Sequence, residues 1–311
     1  MDNRIVLVTG AAGFTGQHAC KRLAEKGYRV AAIVRSRSSL KALPLIKHVD
    51  YYVCDLNRPT EIHEAVQRIS PGYVLHLAGK NSVPESWENP LLYMESNIMG
   101  TVYLLNALHQ HGGTPILIAG SRLKFDLSFP IEPTHPYGLS KSIQEVVSLA
   151  WGELFHQHVI LAEPCNLIGP GPSTGICSLL AGYIAALERG ESRPRFRLSS
   201  ANAKRDFLDV RDAVDAYELL LRQGSAGKVY PVCSGVERRL GDVCKSFINM
   251  ARIPCPLEEV GTEGAEEGIS ESASLIQPEL LSEMGWSPLI PWETSVSDIL
   301  QYYRWEDADR L

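Results

Sequence analysis

The seven cysteines include no C-x-x-C pair, and their number is odd. Most sit in apolar stretches, as buried thiols do, which argues against a disulfide framework and for a reduced, cytoplasmic setting. Long apolar runs are lacking: segments such as Ile5–Val8 and Ile116–Ala119 are far too short to cross a bilayer, so no membrane partner is expected. Basic blocks are lacking as well. Against 30 Lys and Arg stand 36 Asp and Glu, for a net charge of −6. That balance disfavours broad nucleic-acid binding but permits a local cationic pocket. No internal repeat is visible, no metal centre is expected, and Met1-Asp2-Asn3-Arg4 leads into a strand-like run without a signal-peptide pattern. With 45% apolar and 21% charged residues over 311 positions, disorder and fibrous repeats are excluded, and core suffices for one large domain or two ordinary ones.

What is present is alternation. Strands are predicted at Arg4–Thr9, Tyr28–Val34, Val49–Val53, Tyr73–Ala78, Pro115–Ala119 and Val159–Glu163. Helices are predicted at Gly13–Lys26, after Pro59, at Pro90–His111 and at Tyr137–Phe155. This order requires parallel strands with crossover helices on both faces: an α/β, Rossmann-like doubly wound sheet. After Pro164 the texture changes. Ile168–Gly175 reads as a loop, Phe207–Val210 and Lys228–Val232 as strands, and Asp212–Arg222, Leu240–Ala251 and Glu293–Tyr303 as helices. Glu258–Ser274, acidic and rich in Gly and Ser, reads as a surface loop. The expected division is residues 1–164 as one domain and 165–311 as a smaller α+β lobe, with later segments free to return to the first.

Thr9-Gly10-Ala11-Ala12-Gly13-Phe14-Thr15-Gly16 follows the first strand and opens a helix. Gly10 suits a tight turn, Gly13 lets backbone N–H groups approach a pyrophosphate, and Gly16 lets helix and sheet pack closely. The helix N-terminus adds partial positive charge where phosphates would sit, so the first domain is predicted to bind a dinucleotide. An acidic residue after the second strand would select a free ribose hydroxyl. Here that place holds Arg35-Ser36-Arg37, whose guanidiniums and hydroxyl suit a 2′-phosphate and predict NADP(H) over NAD. Asp55-Leu56 is expected near the adenine, and Leu77-Ala78-Gly79 lines the sheet edge where ligands of such folds bind.

Tyr137-Gly138-Leu139-Ser140-Lys141 places a phenol and an ammonium one helical turn apart, on a shared face. Of the twelve tyrosines, only Tyr137 has Lys at the fourth position on. A cation there is expected to lower the phenol's pKa and ready it to move a proton at an oxygen while hydride moves at the adjacent carbon. Ser121, just past the fifth strand, is expected to align the same oxygen.

With these residues in place, the sequence resembles the extended short-chain dehydrogenase/reductase (NAD-dependent epimerase/dehydratase) family over nearly its whole length. The motifs are Thr9–Gly16, His76–Gly79, Asn97–Thr101, Tyr137–Lys141 and Arg205–Val210, in that order. Within the family the chain is similar to reductases of GDP-linked 4-keto-6-deoxymannose, on the stretches Ser82–Trp87, Asn166–Pro172, Arg205–Val210 and Tyr230–Gly235. The resemblance implies a homodimeric, NADP(H)-dependent enzyme that reduces the C4 ketone of a nucleotide-diphosphate 4-keto-6-deoxyhexose. It implies Ser121, Tyr137 and Lys141 as the catalytic set, with Lys141 also on the nicotinamide ribose, Pro164 at the cofactor and Asn97 supporting the active-site helix. Ser82, Asn166 and Arg205 would face the substrate, Arg205 on its phosphates. The family's dehydratases carry Asp-Glu where this chain has Arg122-Leu123, which disfavours dehydration. Phe125-Asp126 replaces a usual Val/Glu-Tyr-Gly ending, Glu163 stands where many relatives have Arg, and Glu263–Glu267 replaces a loop that commonly offers Arg to the diphosphate. The competing readings are a 4-epimerase with tightly bound NAD and a non-catalytic dinucleotide-binding protein. The dimer is expected through helices Pro90–His111 and Tyr137–Phe155, rich in surplus apolar residues such as Leu91, Leu92, Leu104, Leu105, Leu108, Val146, Val147 and Leu149.

Overall fold

A strand covered on both faces reads as an unbroken apolar run, and β1 (Ile5–Thr9) is buried from Val6 onward. The computed structural model describes residues 4–41, 43, 45–128, 130–198, 200–259 and 276–306. After β1 come β2 (Arg29–Val34), β3 (Val49–Val53), β4 (Tyr73–His76), β5 (Ile116–Ala119) and β6 (Val159–Pro164). Then follow β7 (Asn166–Ile168), β8 (Phe196–Leu198), β9 (Lys204–Asp209), β10 (Val229–Val232), β11 (Glu237–Arg239) and β12 (Leu257–Glu259). Seven strands form one parallel sheet in the order β10-β6-β5-β4-β1-β2-β3. The order reverses between β1 and β4, and the crevice at the carboxyl ends there is where such sheets hold ligands.

The chain divides into two compact units, one of Met1–Pro164 with Val214–Val232, the other of Cys165–Ala213 with Cys233–Leu311. In the first, crossover helices present apolar stripes to the sheet. Helix Pro59–Ile69 buries Ile62, Val66 and Ile69, one stripe at helical spacing, and begins with Pro, whose missing N–H costs nothing there. Helix Phe14–Glu25 buries Ala19, Cys20 and Leu23 and turns its basic residues outward. Arg22 makes paired bonds to Asp215 at 2.9 and 3.0 Å, and Lys26 and Tyr28 reach Glu218 at 3.0 and 2.7 Å. These bonds tie residues after Val214 to the first unit.

The segment predicted as one helix over Pro90–His111 is helical but not uniform. A π-helical stretch, Met94–Met99, separates α-helices Pro90–Tyr93 and Gly100–Gln110. Asn97 within it is fully buried, so the widened turns fall where a polar side chain is directed inward. Leu104, Leu105 and Leu108 are also fully buried and pack in the first unit's core. They are therefore not surplus interface residues, contrary to the sequence expectation; a helix lying on a sheet spends these positions on its own core.

The second unit holds β7, β9 and β11 in a three-stranded sheet and β8 paired with β12. Its core gathers Leu180 and Ile184 of helix Ile176–Glu188, Phe207, Phe247 and Ile299. Buried Asp209 accepts from Ser295 Oγ and from Arg211, closing the end of β9. The sequence missed the helix Ile176–Glu188 and the short strands β7, β8, β11 and β12. Ile168, read as loop, closes β7, and Val210, read as strand, begins helix Val210–Gln223. Glu258 and Glu259 belong to β12 rather than a loop; residues 260–274, including Glu263–Glu267, lie outside the described residues. Among the described residues no helix is long and apolar enough to cross a membrane.

Candidate active site

The chain leaves β1 through Gly10 at φ +69, and a Cβ there would lie 2.7 Å from Ala78 N, so only glycine lets this loop pass the end of β4. A Cβ on Gly16 would run into Gly10 O, while Gly13 donates its N–H to the same oxygen at 2.9 Å. Gly13 caps helix Phe14–Glu25 in extended conformation, which puts Phe14 and Thr15 in the first turn, where backbone N–H groups have no partner within the helix. This cradle of backbone donors, too tight for side chains, fits a dinucleotide's diphosphate.

Past β2, Ser36 Oγ accepts from Ser39 N–H at 3.3 Å and meets the Ser38 and Ser39 hydroxyls at 2.7 and 3.0 Å, fixing the start of helix Arg37–Lys41. Arg35 and Arg37 are exposed, and neither side chain has a hydrogen bond or ion pair among the described residues. Asp55 Oδ1 accepts from Asn57 N–H at 3.0 Å, a turn bond, and Leu56 packs on the core. Leu77, Ala78 and Gly79 lie just beyond β4, which ends at His76 rather than Ala78; Pro164 ends β6.

Helix Pro136–Phe155 delivers the remaining groups. His135, extended at its N-cap, accepts from Gly138 N–H at 2.7 Å through Nδ1, and its ring stacks on Tyr137 at 5.9 Å. Tyr93 meets the Tyr137 ring edge-on at 6.2 Å. The phenol of Tyr137 is thus held among rings. Burial raises its pKa, while the nearby Ser121 side chain acts the other way and favours the phenolate. This corrects the expectation that Lys141 would lower it. Lys141 is itself buried, and burial depresses its ammonium from 10.5 to about 7. It gives its hydrogens to Ala119 O at 2.7 Å and to Gln144 Oε1 rather than to the phenol.

Asn97 accepts from Lys80 N–H at 2.7 Å and donates to Lys80 O at 3.0 Å and Ser140 Oγ at 2.8 Å, linking the segment after β4 to the helix that carries Tyr137. The altered stretch after Ser121 folds back on the same helix. Ser121 Oγ accepts from Leu123 N–H at 3.1 Å, Phe125 exchanges bonds with Ser142 at 3.1 Å, and Gly138 leaves room for Leu123 O. Lys124 reaches Glu145 at 2.7 Å and Glu163 at 2.8 Å, which accounts for an acid at position 163: its countercharge comes from position 124.

Ser82 Oγ accepts from Glu85 N–H at 3.3 Å and caps helix Val83–Glu88, with its backbone held by the Tyr93 hydroxyl. In the second unit, Asn166 donates to Asp206 O at 2.9 Å, and Arg205 Nη1 donates to Lys204 O at 2.7 Å. Sequence reasoning missed His135, Tyr93 and Gln144. Gln144 is legible in retrospect, since three positions after Lys141 lies one turn on along the same helix face. His135 is legible less directly, as the residue before a proline that opens a helix. Tyr93 left no signal.

A sheet edge that joins a dinucleotide-type loop to a buried Ser–Tyr–Lys set defines an NAD(P)-dependent oxidoreductase. The chain matches the model of the NAD dependent epimerase/dehydratase family over residues 6–233 and belongs to that family. It is 30% identical to the GDP-6-deoxy-D-mannose reductase of Pseudomonas aeruginosa, over 98% of both chains. It is 25% identical to the dTDP-D-glucose 4,6-dehydratase of Mus musculus over 98% of this chain and 91% of that one. With the UDP-glucose 4-epimerase of Bacillus subtilis it shares 28% identity over 86% of this chain and 95% of that one. Among solved structures it is similar to RMD from Pseudomonas aeruginosa complexed with NADPH, with a TM-score of 0.77 and 27% identity, covering 97% of this chain and 99% of that one. The protein is an NAD(P)-dependent enzyme acting on nucleotide sugars, a class that spans reductases, dehydratases and epimerases.

Proposed function

We propose that this chain is an NADP(H)-dependent reductase of the C4 ketone of a nucleotide-diphosphate 4-keto-6-deoxyhexose, GDP-linked in the first instance. The observation that carries this reading is the turn after β2, where Arg35 and Arg37 are exposed and unpaired among the described residues, available to a 2′-phosphate. An exchangeable phosphorylated cofactor fits net reduction. The absence of carboxylates at Arg122-Leu123 speaks against dehydration, which needs an acid and a base at that place.

Gly10, Gly13, Phe14, Thr15 and Gly16 would hold the cofactor's diphosphate, Arg35, Ser36 and Arg37 its 2′-phosphate, and Asp55 and Leu56 its adenine. Leu77, Ala78, Gly79 and Pro164 would line its path along the sheet edge, with Lys141 on the nicotinamide ribose. When bound, NADPH supplies the hydride that the ketone carbon takes up. Tyr137 donates its proton to the ketone oxygen, and Ser121 hydrogen-bonds and orients that oxygen. A phenol kept protonated by burial is in the right state for this donation throughout the neutral range. Ser82, Asn166 and Arg205 are the proposed substrate contacts, Arg205 on the diphosphate. We propose a homodimer in which the exposed apolar side chains of helices Pro90–Tyr93 and Pro136–Phe155 meet their copies.

The test offers NADPH with GDP-, UDP-, dTDP- and CDP-4-keto-6-deoxyhexoses to the full chain. The expected result is stoichiometric NADPH oxidation, fastest with the GDP sugar, and a loss of about 10²–10⁴-fold in Tyr137→Phe. Interconversion of 4-epimers without net NADPH use, on NAD retained through purification, would overturn the reductase in favour of the epimerase. Unchanged turnover in Tyr137→Phe would remove the proposed proton donor.

A further inference from the structure

Lys141 has three ammonium hydrogens, and two of them are committed within the fold. One goes to Ala119 O at 2.7 Å, at the end of β5, and one to Gln144 Oε1. Gln144 is buried, and its other end is also committed, its Nε2 donating to Thr101 Oγ1 at 2.8 Å. Thr101 spends its single hydroxyl hydrogen on Asn97 O at 2.7 Å. Its oxygen must therefore accept from both Gln144 and His76 Nε2, which lies 2.9 Å away. That fixes His76 as the neutral Nε2–H tautomer, in keeping with burial, which pushes its pKa down to about 3. His76 Nδ1 then accepts from Thr9 Oγ1 at 2.7 Å, and Thr9 Oγ1 in turn accepts from Ala78 N–H at 3.2 Å. Every bond in this buried chain pairs one donor with one acceptor, and reversing Gln144 would set its NH₂ group against the Lys141 ammonium and its oxygen against a Thr101 hydroxyl that has no hydrogen to give.

We infer that Gln144 is a positioning residue for the proposed proton-transfer site: locked by Thr101 and His76, it presents one neutral carbonyl oxygen to Lys141 and leaves the third ammonium hydrogen as the only one free for ligand. This rests on the assignment of Lys141 to the active site, but the orientation itself belongs to the ligand-free fold. The neutrality of the contact has a consequence for charge. The charged and titratable groups acting on Lys141 are Glu145 on its own helix and His76 on β4, with Tyr137 one turn before it in sequence, and Glu145 is engaged by Lys124 from the segment after β5. A carboxylate at position 144 would add a charge in direct contact; an apolar group would remove the acceptor.

The test titrates the ligand-free full chain labelled with carbon-13 at lysine Cε, following the resonance that disappears in Lys141→Met. Gln144→Glu is expected to raise the Lys141 midpoint and Gln144→Met to lower it, each by about one unit or more, a tenfold change in protonation. In NADPH-coupled assays the basic limb of the kcat profile should move in the same directions, with KM for NADPH changed less than kcat. If both variants fold and leave the Lys141 midpoint where it is, the inference is overturned. Should Gln144→Met fail to fold, Gln144→Glu decides alone, since it keeps the shape: an upward shift supports the inference and no shift defeats it. Moved midpoints without NADPH turnover on any sugar would sink the proposed reduction while leaving the role of Gln144 standing.

Discussion

Lys141 concentrates the energetic tension of the site in one residue. An ammonium that titrates at 10.5 in water and at about 7 in the fold binds fewer protons folded than unfolded across that whole interval. Stability therefore rises with pH through the window, and the penalty, on the order of 5 kcal/mol, is felt in full below its lower edge. Lys141→Met removes the titration. In urea unfolding at pH 7 and pH 9.5, the stability of the variant relative to the unaltered chain should be more favourable at pH 7, by about 3 kcal/mol. A pH-independent difference would show that Lys141 is not held in a low-dielectric site. Leaving Ala119 O and Gln144 without a donor lowers the variant's stability at both pH values and so cancels from the comparison.

At the scale of elements, helix Pro136–Phe155 is anchored at three levels. His135 caps it, Ser142 pins the backbone of Phe125, and Lys124 spans Glu145 and the end of β6 at Glu163. Glu163 is buried against Lys124, so removing the lysine takes away the cationic partner of a buried side chain. Lys124→Met should cost about 3 kcal/mol by urea unfolding, and adding Glu163→Gln should recover a good part of it. Equal losses in the single and double variants would mean that the lysine stem, not its charge, secures this stretch. Because the ion pairs link the segment after Ser121 to the helix that bears Tyr137, the same substitution should lower kcat more than it raises KM.

Across the whole molecule, the sheet places every residue of the phosphate loop and of the Ser–Tyr–Lys set within one unit, on segments that follow β1 and β5. On the two helices proposed to meet a second copy, Leu91 at 76% and Leu154 at 73% are exposed, as are Val146 and Phe155. Light scattering at micromolar concentration is expected to give twice the mass of 34.3 kDa, and Leu154→Glu with Val146→Glu should return the monomer. A monomeric mass for the unaltered chain would remove the dimer from the proposal.

Local pattern alone determined much of this protein. Burial on both faces writes the inner parallel strands as apolar runs and β-branched and aromatic residues mark the edge strand β3, so β1 through β6 are legible to within a residue or two, and tight backbone passage demands glycine at Gly10 and Gly16. A four-residue spacing on a helix puts Tyr137 and Lys141 on one face by helix geometry alone. What local pattern could not carry was pairing between distant segments. The return of Val214–Val232 to the first unit depends on Arg22, Lys26 and Tyr28 meeting Asp215 and Glu218 across nearly two hundred residues. The short strands β7, β8, β11 and β12 exist because partners satisfy their backbones, not because their residues insist on it. Only the folded chain decided the charge states: desolvation, a property of everything packed around a group, raised Tyr137 and lowered Lys141 where the two residues by themselves pointed the other way.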